Sequence, residues 1–510
     1  MKDSTILAHY YVDAHKVKGE VSIERTSKEF VPLYVLKVPE VQPATLALMD
    51  QIREKILSEV AIKTTELLEP KAFEDLKIKF FDRSYDLLRR ELSNEREEIW
   101  EFLAGTLVHE MLGLGKIELL LADGDLEDIV VNNAEEPLWV YHKKYGWLKT
   151  NVSIQSEAQI QNYSAMIGRR SGRQITTLNP LMDAHMTTGD RVNATLFPIS
   201  TFGNTISIRK FRRKPWVITD VLENKTVTLD IAALLWLAIQ YETNIIFSGG
   251  TATGKTSFLN VLMPFIPPNQ RIISIEDTRE IQLPKFLHWV PLTTREVNPE
   301  GKGGVSMLDL LVNSLRMRPD RIIVGEIRRG EQAEVLFEAM HTGHSVYATL
   351  HADTAEQTYR RLVNPPIDVP ESLMEALHLI AVSFRDRRKG LRRIFQLAEI
   401  VPAFKGEEFK PFINVLYRWN PVKDNMLKVK QSIRILDELK LHTGMTDHEF
   451  KRDLREKTDI LKWMLNKNIR TVDGIGKVVV EYYFDPDRVL KVVKKNENPS
   501  VLVPPSLLKV

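Results

Sequence analysis

Residues 244–257 read NIIFSGGTATGKTS. An apolar run ends in glycines, the spacing Gly249-x-x-x-x-Gly254-Lys255-Thr256 follows, and FLNVLM continues as a helix. This is GxxxxGK[ST] in the setting the motif requires, strand, glycine loop and helix. Residues Gly249, Gly250, Thr251, Ala252, Thr253, Gly254, Lys255, Thr256 and Ser257 form a loop whose backbone N–H groups can turn inward around phosphate oxygens. The helix start adds partial positive charge. Lys255 is expected to face the β- and γ-phosphates of ATP, and Thr256 to hold Mg²⁺ through its hydroxyl.

The alternation continues downstream. RIISIED (271–277) reads as a buried strand ending in Glu276 and Asp277, and SMLDLLVNSLRMR (306–318) as a helix. RIIVGE (321–326) reads as a strand ending at Glu326, EQAEVLFEAMH as a helix stopped by Gly343, and SVYATLH as a strand ending at His351. Strands alternating with helices imply a parallel sheet covered on both faces. Ligands of such sheets sit at the carboxyl ends of the strands. The P-loop, Glu276, Glu326 and His351 are therefore predicted to converge on one sheet edge.

Three of the twelve histidines fall in MHTGHSVYATLH (340–351). His351 ends a core strand, where it can meet the γ-phosphate or the attacking water. His344 follows a helix and is expected to turn toward the same site or a neighbouring subunit. His341 lies inside the helix end and is given no role. A tetrahedral zinc site fits poorly, because the chain has no cysteine and His351 lies across a strand.

At 510 residues the chain has room for several domains, at ~100–200 residues each. The lack of cysteine excludes disulfides, thiol catalysis and thiolate metal sites. A net charge of +2 argues against a general nucleic-acid binder. The N-terminus has no apolar signal segment. The longest apolar run, IAALLWLAI (231–239), is far short of the ~20 residues that span a bilayer. A soluble, cytoplasmic protein is expected. Segments 44–66 and 71–92, and EREEIWEFLAGTLVHEML after them, have helical periodicity. Short runs such as DIVVN, LWVYH, TLFPIS and NTISIRKF indicate an α+β domain. The expected organisation is a partly helical region 1–99, an α+β domain 100–213, a linker 214–228, and an ATPase domain 229–510 with a helical C-terminal extension. Thr228 is expected to cap the helix that opens the last domain.

Four stretches, GGTATGKTS, IISIEDTREI, RIIVGEIRRGEQA and TGHSVYATLHA, resemble the P-loop, Asp box, Walker B region and His box of the secretion superfamily of hexameric ATPases. GLGKIELLLADGDLEDIVVN and GDRVNATLFPIS resemble that family's nucleotide-covering N-terminal domain. The likeness spans about 105–400, and EDTRE resembles the archaeal or type IV branch rather than the bacterial EDP form. The family powers type II secretion, type IV pili, archaeal flagella and type IV systems. The resemblance implies a RecA-like C-terminal domain, Mg²⁺-dependent ATP hydrolysis and a homo-hexamer. It further implies a polytopic inner-membrane platform protein as partner, so that the ATPase sits peripherally at the cytoplasmic face of the membrane. Glu276 matches the glutamate that polarises the attacking water, and Glu326 the one that supports Mg²⁺ and water. His344 and His351 match the two His-box positions. Arg191 and Arg209 match arginines that reach the γ-phosphate when the domains close. Arg329 stands where the family carries an acid.

Two basic stretches carry alternatives. RKFRRKP (209–215) and RDRRKGLRR (385–393) read either as solvated faces or as contacts. Phosphate is the contact expected for Arg209; a subunit, a partner or anionic lipid is expected for 385–393. A nucleic-acid-translocating motor on the same sheet is the alternative function, but no basic stripe with interleaved aromatics supports stable nucleic-acid binding. A nucleotide-gated scaffold without turnover is disfavoured by Lys255, Glu276 and Glu326.

Overall fold

A computed structural model describes residues 4–27, 29–60, 70–186, 188–211, 214–295, 297, 301–386, 388–405 and 408–508. Arg212, Arg213 and Arg387 of the basic stretches, residues 61–66 of the first expected helix, and the chain ends 1–3 and 509–510 lie outside the described residues. The chain divides into two compact units, Met1–Arg212 and Arg213–Val510.

The first unit is built on a nine-stranded sheet. Its strands are β1 (Ser4–Ala14), β2 (Val17–Thr26), β3 (Leu33–Lys37), β4 (Leu126–Val131), β5 (Trp139–His142), β6 (Gly146–Thr150), β7 (Leu181–His185), β8 (Arg191–Thr195) and β9 (Thr205–Arg209). They lie in the order β1-β2-β3-β6-β5-β4-β9-β8-β7. The region 1–99, expected to be partly helical, thus gives three strands to the sheet of the α+β domain. Their alternation is hidden because β1 carries apolar residues outward as well as inward. Ile6 and Tyr11 are exposed, while Val12, and Val21 and Ile23 of β2, are buried. TLFPIS gives a strand only Thr195. Helices α1 (Pro43–Glu59), α2 (Pro70–Glu91) and α3 (Glu97–Leu112) pack a core of their own around Met49, Ile56, Phe80 and Leu107. α4 (Ile117–Ala122) and α5 (Glu157–Arg170) complete the unit.

The second unit begins with α6 (Ile218–Glu223), inside the segment read as a linker. Ile218, Val221 and Leu222 are buried in the main core of this unit. The Thr219 hydroxyl donates to the Ile469 carbonyl at 2.6 Å, and Arg470 pairs with Asp220 at 2.9 Å and Glu223 at 2.7 Å. Apolar residues 3–4 apart on a short helix, locked by a distant arginine, make this segment part of the domain. α7 (Leu229–Gln240) follows, with every residue from Ile231 to Ile239 buried, so the longest apolar run is a core helix. Thr228 stands at its N-cap position but its side chain makes no capping hydrogen bond.

The sheet of this unit contains β10 (Ile245–Gly249), β11 (Arg271–Glu276), β12 (His288–Thr293), β13 (Arg321–Val324), β14 (Ser345–Leu350), β15 (Leu379–Asp386) and β16 (Leu391–Val401). A small ribbon, β17 (Phe404–Lys405) and β18 (Glu408–Phe409), lies outside it, and β19 (Phe412–Asn420) and β20 (Asn425–Lys428) complete it. The order is β12-β11-β13-β14-β10-β15-β16-β19-β20. The strands from β12 to β15 are parallel and the last three pairings antiparallel. The expected mainly parallel, RecA-like sheet is present, with the P-loop strand inside it. β10, β13 and β14 are buried along their whole length, which explains their mainly apolar runs. α8 (Lys255–Leu262), α9 (Met307–Ser314), α10 (Gly330–His341) and α11 (Ala355–Val363) are the connecting helices. The C-terminal helices α12 (Arg434–Thr443), α13 (Asp447–Asn466), α14 (Val472–Phe484), α15 (Pro486–Lys494) and α16 (Pro505–Leu508) are fastened to the body of this unit rather than trailing from it. Trp236 donates to the Tyr483 hydroxyl at 2.8 Å, and that hydroxyl donates to the Phe265 carbonyl at 2.6 Å. Among the described residues no helix is long and apolar enough to cross a membrane.

Candidate active site

The loop after β10 has the geometry its glycines predict. Gly249 has φ +148°, and a Cβ there would lie 2.4 Å from the Ser383 carbonyl oxygen and 2.6 Å from Thr253 Oγ1. Gly254, at φ +92°, is the left-handed N-cap of α8. The first N–H groups of that helix have no partner inside the helix, so Lys255, Thr256 and Ser257 offer donors to an anion. Thr253 closes the loop by donating from Oγ1 to the Gly250 carbonyl at 2.9 Å. Lys255 is buried, and Nζ donates to the same carbonyl at 3.1 Å. Its pKa is lowered by burial.

Of the predicted convergence, Glu276, Glu326 and His351 do reach the P-loop edge. Parallel pairing through β14 and β13 aligns the strand ends. Lys255 Nζ lies 3.5 Å from His351 Nδ1, and His351 Nε2 lies 3.1 Å from Glu326 Oε1. Burial, reinforced by Lys255, holds His351 below the ordinary imidazole value. The network assigns a neutral ring that accepts from Lys255 at Nδ1 and donates to Glu326 from Nε2.

Glu276 is 1% exposed. Its Oε1 accepts from the backbone N–H of Glu280 at 2.8 Å and Ile281 at 3.1 Å. Its Oε2 is buried with no hydrogen-bond partner among the described residues. Burial pushes the carboxyl up to about 7, against the two backbone hydrogen bonds that favour its charge. One oxygen is anchored and the other is buried without a partner, and a carboxyl raised to near neutrality suits a general base.

His344 does not join this group. It precedes β14, whereas His351 follows it, so they lie at opposite ends of a six-residue strand, about 20 Å apart at ~3.3 Å per residue. His344 Nδ1 lies 3.1 Å from the Ala339 carbonyl and 3.1 Å from Thr342 Oγ1, at the end of α10. The expectation that it shares the site within one chain is corrected by strand direction. His341 contacts the Leu373 carbonyl at 3.3 Å. Separation by a strand also means that His344 and His351 cannot share a metal ion. Elemental analysis is therefore expected to find no zinc that is lost on changing both residues together.

Other residues enter that the motif reading left unassigned. Arg328 bridges Asp277 at 2.8 Å and Glu326 at 2.7 Å. Arg361 donates to the His351 carbonyl at 2.7 Å. Asp353 Oδ1 lies 3.0 Å from the Cβ position at Gly250. His351, Asp353, Arg360, Arg361 and Gly250 line an open pocket of about 620 Å³. For Arg328 and Asp353 the signal was position just after a strand end; Arg360 and Arg361 lie in α11, the helix that follows β14.

Arg191 and Arg209, in the first unit, are direct cross-strand partners on β8 and β9. Arg191 donates from Nε to Asp183 at 3.0 Å, and Asp128 is the partner of Arg209 on β4. Burial raises the pKa of Asp128 while Arg209 acts to lower it.

Residues 149–383 match the family described as type II/IV secretion system protein. An uncharacterised protein of Methanocaldococcus jannaschii is 34% identical over 410 residues, covering 79% of this chain and 73% of the relative. The type IV secretion system protein PtlH of Bordetella pertussis is 30% identical over 309 residues, covering 54% and 89%. Among solved structures, the Legionella pneumophila ATPase DotB aligns with TM-score 0.41 and 19% identity, covering 74% of this chain and 95% of that one. The ADP-bound pilus retraction motor PilT aligns with TM-score 0.41 and 19% identity, covering 68% and 96%.

Proposed function

The chain belongs to the type II/IV secretion system protein family and is an ATPase, and from that premise we propose a Mg²⁺-dependent, hexameric motor. It drives protein secretion or the assembly of a pilus- or flagellum-like filament, working at the cytoplasmic face of the membrane through a polytopic platform protein. The observation that carries the enzymatic part is the chain Lys255–His351–Glu326 at the P-loop, with the buried Glu276 at the same carboxyl edge of the sheet.

The P-loop N–H groups and Lys255 hold the phosphates and offset their charge. Water attacks the γ-phosphorus in line, the bond to the β,γ-bridging oxygen breaks, and ADP and phosphate leave. Glu276 Oε2 takes the water proton. His351, held neutral between Lys255 and Glu326, keeps the Glu326 carboxylate oriented. Thr256 and Glu326 supply a hydroxyl and a carboxylate, the hard oxygen donors that suit Mg²⁺. Bound there, the ion would neutralise charge on the β- and γ-phosphate oxygens. Phosphate release from MgATP by the purified chain tests this reading; binding without release would make it a scaffold.

Arg191 and Arg209 are assigned to the γ-phosphoryl group, and their cross-strand pairing supports a joint role. Either changed to Ala is expected to lower turnover roughly 10- to 1000-fold, below the full range for a lone arginine finger because two share the charge. ADP affinity is the control, since ADP lacks the phosphate they address. Equal losses in ADP binding and turnover would sink the assignment.

A further inference from the structure

The basic stretch 385–393 is not a remote surface. Ser383 of β15 pairs with Gly249 at the end of β10, and β15 runs on to Asp386 before β16 returns from Leu391. The turn between them is thus a hairpin standing beside the phosphate loop. Arg385 and Arg392 are partners across it. Arg392 Cδ lies 3.7 Å from the Cβ position at Gly254, the residue before Lys255.

The neighbouring residue fixes this placement. Arg393 is 6% exposed and binds Asp424 through Nε and Nη2, both at 2.8 Å. Its Nη1 donates to the carbonyls of Asn224 at 3.0 Å and Arg392 at 2.8 Å. Trp419 donates to the same Asp424 at 3.0 Å. Side chains alternate across a strand, so anchoring Arg393 on one face presents Arg392 on the other, toward Gly254.

The P-loop therefore has two different flanks. On the β14 side stands His351, 3.5 Å from Lys255, with Glu326 paired to its other ring nitrogen. On the β15 side stand Arg392 and Arg385. The lysine of such a loop reaches the β- and γ-phosphates while its backbone cradles the α- and β-phosphates. A nucleotide with its γ-phosphate among the hydrolytic groups directs its α-phosphate toward the other flank. The geometry points to Arg392, supported by Arg385, as a nucleotide-binding residue that holds the α- and β-phosphates from the β15–β16 hairpin. This inference rests on the ATPase reading. Its signature differs from that of Arg191 and Arg209, because the phosphates it addresses are present in ADP and ATP alike.

The test is titration of the full-length chain with ADP and with ATP, together with steady-state hydrolysis. Arg392→Ala is expected to weaken both nucleotides by a similar factor, roughly tenfold or more, as for loss of a charge-assisted hydrogen bond. KM for ATP rises accordingly, while kcat at saturation changes several-fold less. Arg392→Lys restores part of the affinity, because the charge returns without the fork. Unchanged ADP affinity in Arg392→Ala, alongside lost binding in Lys255→Ala, overturns this inference and leaves the ATPase reading intact. Weakening of ATP alone overturns it too, by placing Arg392 at the γ-phosphate. So does a lowered melting temperature of the nucleotide-free variant that Arg392→Lys fails to repair, since that marks a packing role. A parent chain that binds neither nucleotide removes both readings together.

Discussion

Glu276→Gln retains ATP and loses phosphate release by roughly 10²–10⁴-fold, the usual worth of a positioned general base. The amide keeps the shape of the side chain, and its oxygen can still accept from Glu280 and Ile281. What it cannot do is take a proton at the buried position of Oε2. The sign of the pH dependence follows from the same burial. The carboxyl is raised to about 7 and acts as a base only when ionised. The kcat/KM of the parent therefore climbs as pH rises through about 7, reporting the free enzyme. In the variant that limb disappears. Phosphate release measured beside bound nucleotide across this range separates the outcomes; near-parental turnover by Glu276→Gln removes it from the chemistry.

Lys255→Ala is expected to weaken ATP and ADP by roughly 100-fold or more. The lysine is buried against the Gly250 carbonyl and His351, so its truncation deletes a desolvated charge from the middle of the cradle. Water that enters in its place cannot supply that charge. Equilibrium binding with a fluorescent ADP analogue measures the loss. Parental affinity in this variant would mean that the loop does not hold phosphate.

The P-loop edge was readable because β10, β13 and β14 are buried throughout, so each is written as a short, mainly apolar run followed within a few residues by glycine or a polar residue. Strand direction was the information not used for His344. A helix returning to the start of β14 leaves the preceding residue at the far edge, however close His351 is in sequence. β1–β3 escaped because Ile6, Leu7 and Tyr11 point outward, which erases the polar half of the alternation. The hairpin 385–393 looked like a solvated run because nothing local shows that β15 lies beside β10. α6 was missed for a similar reason. Six residues between a proline and a turn carry too little periodicity, and the partners that fix the helix, Ile469 and Arg470, come some 250 positions later.

That last helix bears on how the chain can be cut. An ATPase fragment begun at residue 228 would look like a clean domain in the sequence, yet it would leave the sockets of Ile218, Val221 and Leu222 empty. At ~1.5–3 kcal/mol for each buried aliphatic side chain, the loss approaches the ~5–15 kcal/mol that keeps a domain folded. Arg470 would also lose Asp220 and Glu223, its two carboxylate partners. Inactivity of such a fragment would then report unfolding, not the absence of the N-terminal arginines. A truncation beginning at Lys214 keeps the helix and its N-cap, and the silence of such a piece would speak about mechanism.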